Sequence, residues 1–106
     1  MGAAIGTSGG ERVGSVRVKR RCAGGKTVDV EVEAEGGVLR KVLISGDFFA
    51  YPEGALEELE RALENRGAEK GAILAAIREV GVEFLGVKPE ELAEMILEAA
   101  ERAKSS

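Results

Sequence analysis

Hydrophobic and polar residues alternate along the chain between Val13 and Gly46. Charged residues separate the apolar ones, so that every second side chain could face a hydrophobic core. Strict alternation of this kind is typical of β-strands with one buried face. The alternating apolar positions are Val16, Val18, Val28, Val30 and Val32.

The glycine-rich turn between the first two predicted strands sets their register. If residues 23–25 close a three-residue hairpin loop, each valine of the first strand lies opposite a valine of the second. The charged residues then pair as base with acid, and a shift by one residue would mix the two faces of the sheet. The predicted pairs are Val16–Val32, Arg17–Glu31, Val18–Val30 and Lys19–Asp29.

A second turn, at Glu35–Gly37, leads into a third strand over residues 38–44. Towards its end this strand is apolar on both faces, and the preferred register places Glu33 opposite Lys41. The predicted sheet therefore has three antiparallel strands.

After Pro52 the hydrophobic period changes to 3.6 residues, which predicts helices. The first helix begins at Pro52 and ends at Gly67, the second covers Glu69–Val80, and Pro89 opens a third. The residues predicted to be buried on these helices are Leu56, Leu59, Leu63, Ile73, Leu74, Ile77, Leu92, Met95, Ile96 and Ala99. The connection over Gly81–Gly86 is expected to add Phe84 to the core.

The order β-β-β-α-α-α predicts an α+β fold, with three helices packed on one face of the three-stranded sheet. Residues 1–11 are rich in Gly, Ser and Ala and are predicted to form a flexible amino-terminal tail. Residues 12–104 are predicted to form one domain.

The junction between the third strand and the first helix concentrates aromatic residues. Two of the three Phe and the only Tyr fall within residues 48–51. Large aromatic side chains are usually spread through a core because each buries a large apolar area. One interpretation is a core plug, in which Phe48 and Tyr51 fill the gap between sheet and helix. The other is that the segment from Gly46 to Tyr51 is a contact surface for a partner or ligand.

The 106 residues include no His and a single cysteine, Cys22. Zinc sites, Cys–His pairs and Ser–His triads are therefore excluded, and neither a metal site nor a catalytic residue is predicted. No apolar run approaches the ~18 residues of a membrane span, and the first residues do not resemble a signal peptide. Since one cysteine forms no internal disulfide, the chain is expected to be cytoplasmic, with no membrane partner.

The net charge is −4 and the pI is about 5.0. This balance disfavours nucleic acid as a partner, because binding to phosphates needs positive charge. Residues 12–21 are an exception to this acidic balance, because the segment is rich in Arg and Lys. Either the neighbouring acidic strand balances this run, or the run is a patch that binds a partner. Arg20 and Arg21 are explained least well by cross-strand pairing.

Three further positions allow a structural and a functional interpretation. The Gly24–Lys26 turn could bring a cation close to an anionic ligand, or it could simply end a hairpin on a solvated lysine. Asp47 could cap backbone donors, bind a lysine of a partner or face the solvent. Cys22 lies near the end of a hairpin, where a reactive role has little support. Elimination favours a binding or accessory role without a self-contained active site, and it leaves the partner unnamed.

Several motifs resemble the carboxy-terminal accessory domain of lipoate–protein ligases, which in some archaea is a separate small subunit. They are Gly24-Gly25-Lys26-Thr27-Val28, Ile44-Ser45-Gly46-Asp47-Phe48-Phe49 with Tyr51-Pro52-Glu53, and Gly81–Val87. The resemblance extends from about Val16 to Ala100. The chain departs from the family pattern at Ala23, where the family tends to have proline.

The resemblance implies that a separate catalytic subunit holds lipoate, ATP and Mg, while this chain alone binds no cofactor. As the accessory subunit of a heterodimer, this chain would enable the formation of lipoyl-adenylate. The lipoyl group would then pass to a lysine of a carrier domain. By position, Gly24, Gly25 and Lys26 would approach the ligand. The resemblance implies that the Gly46–Tyr51 junction forms the docking face. With the basic residues that pairing leaves unexplained, the candidate docking residues are Arg20, Arg21, Ser45, Gly46, Asp47, Phe48, Phe49 and Tyr51.

Two other functions remain open. The chain could be a non-catalytic binding module for another enzyme or carrier protein, or a sulfur-acceptor protein that uses Cys22. The order of elements also resembles the fold of iron–sulfur scaffold proteins, but those need several cysteines.

Overall fold

A computed structural model of the chain describes residues 14–105, so the predicted tail over residues 1–11 lies outside the described residues. The first half forms a three-stranded antiparallel sheet in the order β1-β2-β3. The strands are β1 (Gly14–Arg21), β2 (Thr27–Glu35) and β3 (Val38–Gly46). The four predicted pairs between β1 and β2 are confirmed, as is the pairing of Glu33 with Lys41 between β2 and β3.

A β-bulge in β3 places two apolar residues that are three positions apart on the same buried face. Lys41 lies opposite Glu33 but Leu39 lies opposite Ala34, so β3 has one extra residue, Arg40, at this point. An extra residue reverses the alternation of side chains along a strand. Leu39 and Val42, which are three residues apart, are therefore both buried.

The three predicted helices are present as α1 (Ala55–Leu63), α2 (Lys70–Val80) and α3 (Pro89–Ser105). The first helix ends at Leu63, before the predicted stop at Gly67. The reason is that residues 65–67 bond to the start of β3. Leu39 donates its N–H to the carbonyl of Arg66 at 2.8 Å, and Asn65 donates to the carbonyl of Leu39 at 2.7 Å.

The core lies between one face of the sheet and the helices. Helix α3 packs on β1 and β2, α1 packs on β3, and α2 packs against both helices. Eight of the ten residues that were predicted to be buried are buried, whereas Leu56 and Leu74 are half-buried. Ala55 and Ala76 take inward positions instead. Each fully buried Leu, Ile or Met contributes about 1.5–3 kcal/mol relative to an exposed one.

The structure also contains two short strands that the sequence pattern did not predict. They are β4 (Phe49–Tyr51) and β5 (Glu83–Leu85), which pair as an antiparallel ribbon. Residues predicted as a junction and as a connection thus form a second small sheet beside the first. None of the helices within residues 14–105 is long and apolar enough to cross a membrane.

Candidate functional site

The two-stranded ribbon presents apolar side chains to the solvent. Phe49 lies opposite Leu85, and Tyr51 lies opposite Glu83. Side chains alternate between the faces of a strand, so Phe49, Tyr51 and Leu85 share the outer face. Their exposed fractions are 64%, 52% and 53%. We call these three side chains the apolar ribbon face. Concentrated apolar exposure of this kind is a common mark of an interaction site.

The core-plug interpretation is right for Phe48 and wrong for Tyr51. The ring of Phe48 is half-buried and meets the ring of Phe84 edge to face, with centroids 5.8 Å apart. The segment then continues as a strand, in which Phe49 points outward, Ala50 inward and Tyr51 outward. A spacing of three residues would bring positions 48 and 51 together on a helix, but on this segment it separates them.

Gly46 and Asp47 hold the end of β3 against the start of β2. Asp47 accepts the N–H of Thr27 at its Oδ1, 2.7 Å away, and donates its own N–H to the carbonyl of Thr27 at 3.2 Å. A Cβ on Gly46 would overlap that carbonyl oxygen and would press on the ring of Phe48. Asp47 therefore satisfies a backbone donor, as one interpretation expected, and it does so across the sheet. It fixes the start of the segment that carries the ribbon.

The turn over residues 23–26, which we call the Lys26 turn, closes the first hairpin as predicted. Cys22 donates its N–H to the carbonyl of Lys26, and Gly25 donates to the carbonyl of Cys22, both at 2.8 Å. Gly25 has a φ of +85°, which favours glycine. Lys26 makes no ion pair with any residue of the described part of the chain.

The Lys26 turn packs against the loop between β5 and α3. A Cβ built on Gly24 would lie 2.6 Å from the carbonyl oxygen of Gly86. The Cγ of Lys26 occupies the space that a Cβ on Gly86 would need. Because Gly86 directly follows Leu85 of the ribbon face, the two candidate regions are neighbours in the structure.

Glu91, in the first turn of α3, ties these segments together. Its Oε2 accepts the N–H of Ala23 at 2.9 Å, and its Oε1 accepts the N–H of Lys88 at 3.1 Å. These bonds hold the pKa of the Glu91 carboxyl below its usual range, and the bond from Ala23 has the larger effect. The sequence analysis did not select Glu91. A signal was available, since a Glu three residues after a helix cap often bonds back to the N–H of the cap.

The basic residues of β1 lie on the three-stranded sheet and not on the ribbon. Arg20 forms an ion pair with Glu98 of α3. Arg17 donates from Nε and Nη2 to both carboxylate oxygens of Asp29, at 2.6–3.0 Å. This fork lowers the pKa of Asp29. The predicted balance with the acidic strand is present, although Arg17 bonds diagonally to Asp29 and not to Glu31 opposite.

Two other docking candidates also lie away from the ribbon face. Ser45 is exposed on β3, opposite Asp29, and Arg21 is exposed at the end of β1. Of the eight candidate docking residues, Gly46 and Asp47 support the ribbon segment, Phe48 anchors it in the core, and Phe49 and Tyr51 form its outer face. The ribbon also contributes Leu85, which sequence reasoning did not select because its partner strand is over thirty residues away.

The buried thiol of Cys22 is poorly suited to sulfur transfer. Burial raises the pKa of Cys22, and the nearby carboxylate of Glu91 raises it further. Nucleophilic attack by cysteine requires the thiolate, which both effects disfavour. Among residues 14–105 no group of three or more His, Cys, Asp or Glu side chains is arranged to hold a metal ion. The arrangement is suited to binding through an apolar face beside a cationic turn.

Fold and site together define a small α+β domain with an exposed apolar face. The chain belongs to the family described as bacterial lipoate protein ligase C-terminus, which it matches over residues 15–96. This range includes the Lys26 turn, the ribbon and the first eight residues of α3.

A curated relative and a solved structure show what this chain is similar to. Lipoate-protein ligase A subunit 2 of Thermoplasma acidophilum is 34% identical over 65 residues, which cover 60% of this chain and 69% of that protein. A chain from the solved structure of a bipartite lipoate protein ligase and its E2 lipoyl domain, from the same organism, aligns with a TM-score of 0.63. It has 29% identity and covers 77% of this chain and 96% of the solved one.

Proposed function

We propose that this chain is the accessory subunit of a two-chain lipoate–protein ligase. It binds the catalytic subunit and enables the ATP-dependent conversion of lipoate to lipoyl-adenylate, before transfer to a lysine of a carrier domain. The observation that carries the proposal is the likeness to subunit 2 of the Thermoplasma ligase, together with the likeness to a chain of the bipartite ligase structure.

The apolar ribbon face is the docking surface in this account. Phe49 and Tyr51 offer rigid aromatic side chains, which are enriched among residues that dominate binding energy at interfaces. Leu85 completes the face from the second strand. Burial of apolar area contributes about 25 cal/mol per Å² before the costs of association are subtracted. The inner residues of the ribbon, Ala50 and Phe84, pack against the core and keep the face rigid.

The Lys26 turn faces the chemistry of activation. In that reaction the carboxylate of lipoate attacks the α-phosphate of ATP, forms the mixed anhydride and releases pyrophosphate. Negative charge concentrates around the phosphates, and a lysine that has no ion-pair partner among the described residues is available to neutralise it. The catalytic subunit supplies the sites for lipoate, ATP and Mg. Closure by this chain excludes water from the reacting groups.

Reconstitution tests the proposal. The catalytic subunit from the same organism is mixed with lipoate, ATP, Mg and a lipoyl carrier domain, with and without this chain. Lipoylated carrier, detected by mass spectrometry, is expected only when both chains are present, and the two chains are expected to co-elute in size-exclusion chromatography. Equal lipoylation without this chain would contradict the proposal and would favour a binding module for another enzyme or carrier.

A further inference from the structure

Glu91 bonds to two backbone N–H groups that belong to different parts of the chain. Ala23 lies in the Lys26 turn, and Lys88 lies just before α3, 65 residues further along. We propose that Glu91 is the positioning residue that fixes the Lys26 turn to α3 and so sets where Lys26 meets the active site of the catalytic subunit. The inference rests on the role given to Lys26 in the proposed function.

The geometry requires a carboxylate at this position. Each oxygen of Glu91 accepts one N–H, and both bonds are of normal length, at 2.9 and 3.1 Å. A glutamine has only one oxygen, and its amide nitrogen is a donor. Whichever way a glutamine turns, one of the two N–H groups faces another donor. A helix cap alone would need only the bond to Lys88, so the bond to Ala23 is the contact that a positioning role adds.

Packing contacts hold the Lys26 turn in the same position as the bond from Glu91 does. Gly24 contacts the carbonyl of Gly86, and the stem of Lys26 lies on the Cα of Gly86. Both contacts join the Lys26 turn to the loop that Glu91 also holds. Since Leu85 of the ribbon face precedes Gly86, the turn and the docking surface are presented to a partner as one rigid unit.

The charges around Glu91 favour its ionised form. Lys88 attracts the carboxylate from its own segment, and Arg20 attracts it from β1, although the guanidinium of Arg20 also pairs with Glu98. The thiol of Cys22 also lies near and stays neutral. The carboxylate is therefore available as a double acceptor at neutral pH.

Two variants of the full chain separate a positioning role from a general effect on α3. Glu91→Ala removes both acceptors, and Glu90→Ala is the matched control. Glu90 lies in the same first turn and carries the same charge, but its side chain makes no hydrogen bond or ion pair with any residue among 14–105. Both substitutions change the interaction with the helix dipole equally, so the two variants differ in the contacts of position 91 with Ala23 and Lys88.

The first readout needs no partner. Amide hydrogen exchange of Ala23 is measured by NMR in the free chain, with circular dichroism to verify folding. Glu91→Ala is expected to speed exchange at Ala23 by about threefold to tenfold, as the loss of one hydrogen bond predicts. Glu90→Ala is expected to leave it unchanged. Unchanged exchange at Ala23 in Glu91→Ala would overturn the inference.

The second readout is a double-mutant cycle in lipoate-dependent ATP–pyrophosphate exchange with the catalytic subunit. If Glu91 acts through Lys26, Glu91→Ala slows exchange in the wild-type background and adds nothing in the Lys26→Ala background. An equal loss in both backgrounds would overturn the inference while leaving the proposed function intact. A Lys26→Ala variant as fast as wild type would overturn the role of Lys26 itself, and the inference with it.

Discussion

Gly24 approaches the carbonyl of Gly86 so closely that a Cβ on Gly24 would lie 2.6 Å from the oxygen. This contact joins a turn near the start of the domain to the loop before its last helix. It explains why the Gly-Gly-Lys motif needs glycine at its first position, where the backbone conformation itself would allow another residue.

Gly24→Ala is expected to destabilise the domain by about 1–3 kcal/mol, because the new methyl group meets backbone that has little freedom to move. The free energy of unfolding in urea measures the effect. Gly71→Ala is the matched control, since a Cβ there meets nothing within 4 Å and the residue lies in α2. That substitution should stabilise the domain by up to about 1 kcal/mol. A Gly24→Ala variant as stable as wild type would contradict the close packing.

The pair of Arg17 and Asp29 predicts a specific loss of stability in acid. Its hydrogen bonds lower the pKa of Asp29 in the folded chain. A carboxyl with a lowered folded pKa contributes stability that is full above its unfolded pKa, about 3.9, and is lost as the pH falls towards the folded value. Urea unfolding measured from pH 7 to pH 2 should therefore show this loss below about pH 4.

Asp29→Asn should be less stable than wild type at pH 7, and the difference should shrink below pH 4. Glu31→Gln, two residues away on the exposed face of the same strand, controls for the change of net charge. A constant difference between Asp29→Asn and wild type over the whole pH range would show that the ion pair has no part in acid stability.

The apolar ribbon face predicts where the catalytic subunit binds. Phe49→Ala combined with Tyr51→Ala should weaken association at least tenfold in isothermal titration calorimetry, since each tenfold corresponds to about 1.4 kcal/mol. Both side chains are more than half exposed, so circular dichroism should show a folded domain. Leu85→Ala alone should weaken association in the same direction.

Leu43→Ala is the control for this experiment. Leu43 is also an exposed hydrophobic residue, at 43%, but it lies on the three-stranded sheet. Its replacement should leave the affinity unchanged. If Leu43→Ala weakened association as much as the ribbon variant, the three-stranded sheet would also belong to the docking surface.

In this account docking and activation use different residues. Lys26→Ala is therefore expected to change the rate of activation and not the affinity between the subunits. Exchange of pyrophosphate into ATP by the assembled subunits should fall about tenfold or more, because one charge that stabilises the phosphates is lost. Association measured by calorimetry should stay the same. Lys41→Ala, at an exposed lysine on β3, serves as the control. A fall in affinity with no change in rate at saturation would assign Lys26 to the interface.

The sequence allowed the main sheet to be predicted in detail because its register depends on local features. Valines at alternate positions and a short glycine turn leave one pairing that places these valines on the core face, from Val16 opposite Val32 to Val18 opposite Val30. The helices were equally predictable, because their hydrophobic residues follow a period of 3.6 residues. The early end of α1 was not, because it depends on bonds between Asn65 and Leu39 that no local pattern signals.

The candidate site was harder to predict because long-range contacts build it. Strands of three residues, such as Phe49–Tyr51, are too short to show a period, and their partner Glu83–Leu85 lies far along the chain. The outward position of Tyr51 follows only once the segment is known to be a strand. Glu91 resembled its solvated neighbours in sequence, and only the fold brings Ala23 to its carboxylate.

Lipoate-dependent exchange of pyrophosphate into ATP, catalysed by the separate catalytic subunit with and without this chain, tests the central claim most directly. The assay reports formation of the adenylate and is independent of transfer to a carrier. An accessory role in activation predicts exchange only when both chains are present, rising with the amount of this chain until the subunits are equimolar. Equal exchange by the catalytic subunit alone would contradict that role.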